Sequence, residues 1–163
     1  WCTLRGSPSL LDGVPSMRWR ASVFMQLVVF PLVAFFGGGG AFRRVLCAYF
    51  IKDLDARNRT LLAHHAAALV GAAMISERDL AAFSAGTCAL EVGSAAYCLW
   101  RLYGMHGGGR GWAAYGATIT LSHAATLALA LRIDLFERER VAALLLSALM
   151  LGRQWEVWKR RPR

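Results

Sequence analysis

Charged residues are scarce in this chain, at 18% of the total, and acidic residues are the scarcer sign, with 10 Asp and Glu against 19 Lys and Arg. Hydrophobic residues make up 56% of the chain, and the mean hydropathy is +0.39. An ordinary soluble domain carries more charge and shorter apolar runs. The composition therefore argues against a soluble globular protein and predicts an integral membrane protein.

Motifs of soluble enzymes and of metal sites are also missing. The four cysteines, Cys2, Cys47, Cys88 and Cys98, show neither CxxC spacing nor a Cys/His ligand pattern, so we interpret them as small packing residues and predict no metal site. No GxSxG, Walker-loop, HExxH or dinucleotide-binding pattern is present, and the glycine run at 37–40 lacks the strand-to-helix setting of such motifs. These absences argue against soluble-type catalysis, and no cofactor is predicted.

The formal net charge of +9 raises the question of a nucleic-acid partner. The basic residues, however, occur in short clusters between apolar segments rather than along one polar face. That distribution is typical of membrane topology, so we expect no nucleic-acid partner. The chain has no Pro/Ser-rich linker and no repeat with a period of 20 to 50 residues, which predicts one domain and argues against a solenoid.

Apolar segments separated by glycines or charged residues predict an all-α fold, a multi-pass transmembrane helical bundle of about five to six helices. The segments are residues 21–36, 41–54, 60–76, 80–103, 112–131 and 141–158. We expect a kink at Pro31, a break in the glycine run and an N-cap at Thr60. Small residues dominate the segment 80–103, which predicts a central position for that helix. Whether residues 41–54 and 141–152 fully span stays open, because both runs are short.

Three regions follow from this division. Residues 1–20 are predicted to form a basic irregular N-terminal arm, residues 21–158 the transmembrane helical domain, and residues 159–163 a basic C-terminal tail. Six spans place both termini on one side of the membrane, and that side also receives most of the basic residues. The positive-inside rule then predicts that the termini face the cytosol or the matrix.

His64 and His65 are the first functional candidates, because they lie near the start of the apolar run 61–75. Ionisable groups at membrane depth usually face a protein interior or a wet cavity and mark a site. Adjacent helical residues lie about 100° apart, so we expect one of the two to point inward and the other toward a neighbouring helix. Metal ligation, acid/base or nucleophilic chemistry, and a structural bond to Asp53 or Glu91 all stay open.

Glu91 lies in the middle of the small-residue segment, where a buried carboxylate needs a partner or becomes neutral. A buried His–Glu pair is the simplest interpretation, with either a structural role or proton transfer. Asp53 either lines the same pocket or belongs to a solvated helix end. His123, beside Ser122, is interpreted as a core histidine. Haem ligation by the histidines is the less favoured alternative.

Several of these residues occur in an order that resembles the TLC domain, the TRAM, LAG1 and CLN8 family. The resemblance covers roughly residues 41–158 and is carried by Tyr49-Phe50-x-x-Asp53, His64-His65, Glu91, Trp100-Arg101, Arg132 and Trp155. It implies a multi-helix membrane fold that acts on or responds to lipids. It also implies an interior cavity for lipid, with His64, His65, Asp53 and Glu91 as catalytic candidates and His64, His65, Glu91, Arg101 and Arg132 as lipid-binding residues.

Three functions remain. The first is a non-catalytic protein that binds, senses or handles lipid, with membrane lipids as partners and bound phospholipid in the cavity. The second is an accessory subunit of a larger organelle complex, such as a mitochondrial respiratory or ATP synthase assembly. The third, an acyltransferase related to ceramide synthases, is less favoured because no HDxxD-like cluster follows the paired histidines. The expected location is an organelle inner membrane or the endoplasmic reticulum.

Overall fold

The structure is a computed structural model that describes residues 10–11, 14–52, 59–104, 109–131, 147–155 and 158–159. Among these residues, a single small ladder pairs β1 (Leu10–Leu11) antiparallel with β2 (Val14–Pro15). The rest is almost entirely helical, which confirms the all-α prediction.

Six helices carry the fold in the described part of the chain. They are α1 (Ser16–Phe24), α2 (Phe30–Phe36), α3 (Gly38–Lys52), α4 (Arg59–Met74), α5 (Leu80–Leu99) and α6 (Gly109–Ala130). Two π-helical turns, Met25–Val29 and Trp100–Gly104, follow α1 and α5, and a 3-10 turn at Glu77–Asp79 precedes α5. Residues 147–155 and 158–159 are also helical, and we refer to them as the C-terminal segment.

The first helical stretch is continuous from Ser16 to Phe36, and its π-helical turn sits directly before Pro31. Proline has no N–H to donate, and its ring collides with the carbonyl four residues earlier. The wider π turn relieves that collision, with the Phe30 N–H donating to the Met25 carbonyl five residues back. The distortion predicted at Pro31 is therefore present.

Helix boundaries differ from the sequence prediction in several places. The helices α3 and α6 begin at Gly38 and Gly109, each three residues before the predicted start. The first helix begins at Ser16, so residues 16–20 of the predicted irregular arm are helical. The fourth begins at Arg59, which makes Thr60 an internal residue, and the predicted N-cap is wrong. The glycine break is confirmed, because Gly38 has a φ of 70° that favours a residue without Cβ.

The helix α5 occupies the centre of the bundle, as its small residues predicted. It packs against α1, α2, α3 and α6, and its most extensive interface is with α6. Gly86 and Gly93 on α5 are buried there. A side chain on Gly93 would meet α6 at once, since a Cβ would lie 2.6 Å from Ser122 Oγ and 3.3 Å from Ile119 Cγ1.

Two hydroxyl groups of α6 donate to the backbone of α5 across this interface. Ser122 Oγ donates to the Ala89 carbonyl at 2.7 Å, and Thr126 Oγ1 donates to the Gly86 carbonyl at 3.1 Å. Such bonds need backbones in close approach, which only small residues allow. Small residues on α5 and short hydroxyl side chains on α6 thus hold the two helices together.

A second packing region joins α2, α3 and α4 to α5. Its buried members form what we call the aromatic core: Phe30, Phe42, Leu46, Tyr49, Phe50 and Ala72. Phe30 meets Tyr49 edge-on, with ring centroids 5.1 Å apart, and Phe42 at 6.0 Å. Cys88 of α5 and Ala68 of α4 pack against the same core. Aromatic contacts therefore stabilise α2, α3 and α4 against α5.

The two ends of the bundle are chemically different. At one end, Arg43 donates to the Ile75 carbonyl at 2.8 Å and pairs with Glu77 at 3.2 Å, which brings the start of α3 to the end of α4. At the other end, Trp100 stacks on Tyr115 with centroids 5.0 Å apart, and Trp19 approaches Tyr97. We call these the Arg43 end and the aromatic end.

Within the described residues, one helix is both long and apolar enough to cross a membrane. It is the stretch Ser16–Phe36, with 21 residues and a mean hydropathy of 1.7. By length, α5 and α6 also reach about 30 Å, whereas α3 and α4 reach at most about 24 Å at 1.5 Å per residue. The structure thus establishes one candidate span, and the predicted set of five to six is carried forward below as a proposal.

Replacement of Gly93 by alanine tests the α5–α6 contact. The added methyl would overlap Ser122 Oγ at 2.6 Å, so we expect a loss of about 1–3 kcal/mol in stability. The measurement is the melting temperature of the detergent-solubilised chain. Gly40→Ala is the matched control, because nothing lies within 4 Å of a Cβ there. Equal melting temperatures for the two variants would contradict the close approach.

Candidate functional site

The predicted site residues fall into two groups. His65, Glu91 and Arg101 are described, whereas Asp53 and Arg132 lie outside the described residues, as does the side chain of His64. His65 is 5% exposed and Glu91 is 1% exposed, so both ionisable groups are buried inside the bundle. The prediction that one histidine of the pair points inward agrees with the burial of His65.

His65 continues the aromatic core. Its ring lies 4.7 Å from that of Phe50, centroid to centroid, and Phe50 in turn lies 5.5 Å from Tyr49. The α3 helix supplies both aromatic rings from adjacent positions, and Phe50 is the one that contacts the imidazole. Because His65 is buried against an aromatic ring, its surroundings are those of a core residue.

Glu91 borders the same core from the opposite helix. It follows Cys88 by three residues on α5, and residues three apart share a helix face. Cys88 packs against the aromatic core, as do Ala68 and Leu69, which follow His65 by three and four residues on α4. The fold therefore brings the predicted acid and the predicted base to the edge of one cluster, from α5 and α4.

Gln26 is a further polar member that the sequence reasoning missed. It lies inside the first apolar run, is buried in the π-helical turn, and its Nε2 donates to Tyr49 Oη at 3.3 Å. Gln26 Oε1 is buried without a hydrogen-bond partner. A lone glutamine in an otherwise apolar segment was the available signal, since a buried amide is costly unless it is bonded.

Arg101 lies apart from that core, at the aromatic end. It belongs to the π-helical turn after α5 and is half-buried beside Trp100, which stacks on Tyr115 at an interplanar angle of 10°. Tyr97 contacts both of these rings, with centroid distances of 6.2 and 5.7 Å. Trp and Tyr side chains with an adjacent arginine are typical of a membrane–water interface.

A third polar group joins α6 to the C-terminal segment. His123 is 6% exposed, and its Nδ1 lies 3.0 Å from Gln154 Oε1. Gln154 Nε2 donates to Thr120 Oγ1 at 2.6 Å. His123 was predicted to be a satisfied core histidine, and the structure satisfies only one ring nitrogen, because Nε2 is buried without a partner.

Arg153 makes the neighbouring contact, which sequence reasoning also missed. Its Nη1 donates to Ser94 Oγ of α5 at 3.0 Å, across a separation of 59 residues. The signal in the sequence was the change from apolar to polar character at Arg153 and Gln154, which had been interpreted only as the end of a helix. We call the group of Ser94, Thr120, His123, Arg153 and Gln154 the polar junction.

The described groups differ in what they offer a ligand. No set of three or more His, Cys, Asp or Glu side chains within the described part of the chain is placed to hold a metal ion. His65 and Glu91 are buried ionisable side chains, and the polar junction offers a cation, hydroxyl groups and an imidazole.

Comparisons with known proteins return nothing: no protein-family model, no curated protein and no solved structure matches the chain. The resemblance to the TLC domain consequently rests on the residues quoted above.

Gln154→Ala tests the polar junction. The substitution removes the acceptor of the His123 Nδ1–H and leaves a buried imidazole without a protein partner, which we expect to cost about 1–3 kcal/mol. The melting temperature should fall, and limited proteolysis should release the C-terminal segment sooner. Leu151→Ala is the control, because Leu151 is exposed on the same segment. Identical proteolysis of the two variants would argue against the junction as the docking contact.

Proposed function

We propose that the chain is a multi-pass membrane protein, similar to TLC-domain proteins, that binds or senses lipid within its helical bundle. The region around His65 and Glu91 would hold the lipid, and the proposal includes no chemical step. The observation that carries it is the complete burial of Glu91, at 1% exposed, inside a bundle whose outer surface is apolar. Ionisable groups in such a setting are expensive to keep and usually functional.

The outer surface supports the membrane part of the proposal. Large apolar side chains are exposed on every one of the six helices, among them Phe35 at 83%, Ile51, Val70, Val92 and Leu121. A soluble domain of this size rarely exposes so many apolar residues around its whole circumference. Such a surface is suited to contact with the hydrocarbon of a membrane.

The contacts between helices inside the bundle also support a membrane location. Contacts between helices in lipid rely on small residues and on hydroxyl or amide hydrogen bonds, because lipid tails already solvate large apolar side chains. The interface of α5 with α6 has this composition, with Gly86 and Gly93 facing Ser122 and Thr126. The Trp and Tyr rings at the aromatic end fit one membrane interface, and the Arg43–Glu77 pair fits the other.

Sidedness of the two ends tests the multi-pass topology. We expect a cysteine at Arg44→Cys and a cysteine at Lys159→Cys, each in a background without native cysteines, to react with an impermeant maleimide from opposite sides of sealed vesicles. Arg44 is exposed near the Arg43 end, and Lys159 adjoins Trp158, which packs on Trp112 at the aromatic end. Lysed vesicles should label both. Labelling of both from the same side would contradict the proposed topology.

Lipid retention tests the proposed site. We expect the full chain, extracted in a mild detergent, to carry lipid detectable by native mass spectrometry, and Glu91→Gln to reduce the lipid-bound fraction at least about tenfold. The substitution keeps the shape of the side chain while removing its charge. Glu77→Gln is the matched control, because the Glu77 side chain is 77% exposed.

Equal retention in the two variants would contradict the role of Glu91. The same extraction also addresses the alternative of an accessory subunit. Stoichiometric co-purification with other membrane proteins, and without lipid in the bundle, would favour that alternative over lipid binding.

A further inference from the structure

Arg153 is a cation that the described chain leaves without a carboxylate partner. Its only hydrogen bond among the described residues is the one from Nη1 to the neutral Ser94 hydroxyl, at 3.0 Å. A neutral hydroxyl does not compensate the charge of a half-buried guanidinium, so binding of an anion at that group is favourable.

The guanidinium is open to a ligand from outside. Its remaining N–H groups are accessible from the surface, because Arg153 is only half-buried. Next to it, Gly152 faces open space, since no atom lies within 4 Å of where a Cβ would be. Arg153 is therefore accessible to a charged ligand from the surface.

His123 supplies the second polar group at this place. Because the Gln154 amide oxygen only accepts hydrogen bonds, His123 Nδ1 must donate to it. In the neutral ring, Nε2 then carries a free lone pair, and this atom is buried without a partner. His123 also lies close enough to Arg153 for the two to interact electrostatically. A lone pair accepts a hydrogen bond and cannot donate to an anion, so the guanidinium of Arg153 is the group of the junction that suits an anionic ligand.

We propose that Arg153, with the Ser94 hydroxyl beside it, binds the anionic headgroup of a lipid, a phosphate or a carboxylate. Both groups match the planar fork of a guanidinium, which can donate two parallel hydrogen bonds. The exposed apolar side chains of the bundle favour a ligand with a hydrocarbon tail over a small free anion. The inference rests on the proposed lipid-binding function and adds the charge of the ligand, with the headgroup held one turn along α5 from Glu91.

The test is native mass spectrometry of the full chain, delipidated in mild detergent and titrated with one probe at a time. The probes are dioleoyl phosphatidate, oleate, dioleoyl phosphatidylcholine and inorganic phosphate. We expect phosphatidate or oleate to bind more tightly than phosphatidylcholine, and Arg153→Gln to weaken that binding about tenfold. Arg44→Gln, the same change at an exposed arginine, should leave it unchanged.

Two further variants separate ligand binding from folding. Arg153→Lys keeps the cation and should retain part of the preference for anionic lipid. Ser94→Ala removes only the hydroxyl partner, so the preference should persist. If the bond between Arg153 and Ser94 were merely structural, Arg153→Gln and Ser94→Ala would lower the melting temperature alike and leave the preference for anionic lipid unchanged, which overturns the inference.

The remaining outcomes of the titration also either support or overturn the inference. Phosphate alone binding with the same dependence on Arg153 would support the anion site and identify a free anion instead of a lipid as its source. Equal effects of Arg153→Gln and Arg44→Gln overturn the inference. If Glu91→Gln still releases lipid in that case, the proposed function stands without it. A native chain that binds none of the lipid probes contradicts both.

Discussion

The close approach of α5 to α6 is the contact on which the rest of the bundle depends. Gly93 leaves room for Ser122, and the Ser122 and Thr126 hydroxyls then reach carbonyls of α5. Hydroxyl-to-carbonyl bonds and small residues hold helices together where a hydrophobic driving force is weak. Because α5 also contacts α1, α2 and α3, the position of α6 and the C-terminal segment relative to the aromatic core is set through this one interface.

The buried polar groups lie in two regions of the interior, each next to a different part of α5. One face carries Cys88, which packs against the aromatic core, and Glu91 is buried one turn further along the helix. The polar junction, with Ser94 as its α5 member, is held by the C-terminal segment. In an apolar protein each such group costs free energy unless a partner or a ligand satisfies it.

Sequence patterns predicted those features that depend on local chemistry. The glycine run at 37–40 predicted the break at Gly38, and Pro31 predicted a distortion that the structure resolves as a π-helical turn. Small residues predicted the central position of α5, because only close packing uses them. The early start of the first helix was missed, since Ser16 to Arg20 combine polar character with helical geometry and periodicity reports only apolar faces.

What the amino-acid sequence alone determined is the helical class, the break points, the membrane-like composition and the expectation that Glu91 and one of the paired histidines are buried. Only the tertiary structure decided which distant groups meet. Gln26 reaches Tyr49 across 23 residues, and Arg153 reaches Ser94 across 59. Helix periodicity specifies which residues share a face, whereas the partner of that face depends on how the helices pack, and no local pattern encodes that choice.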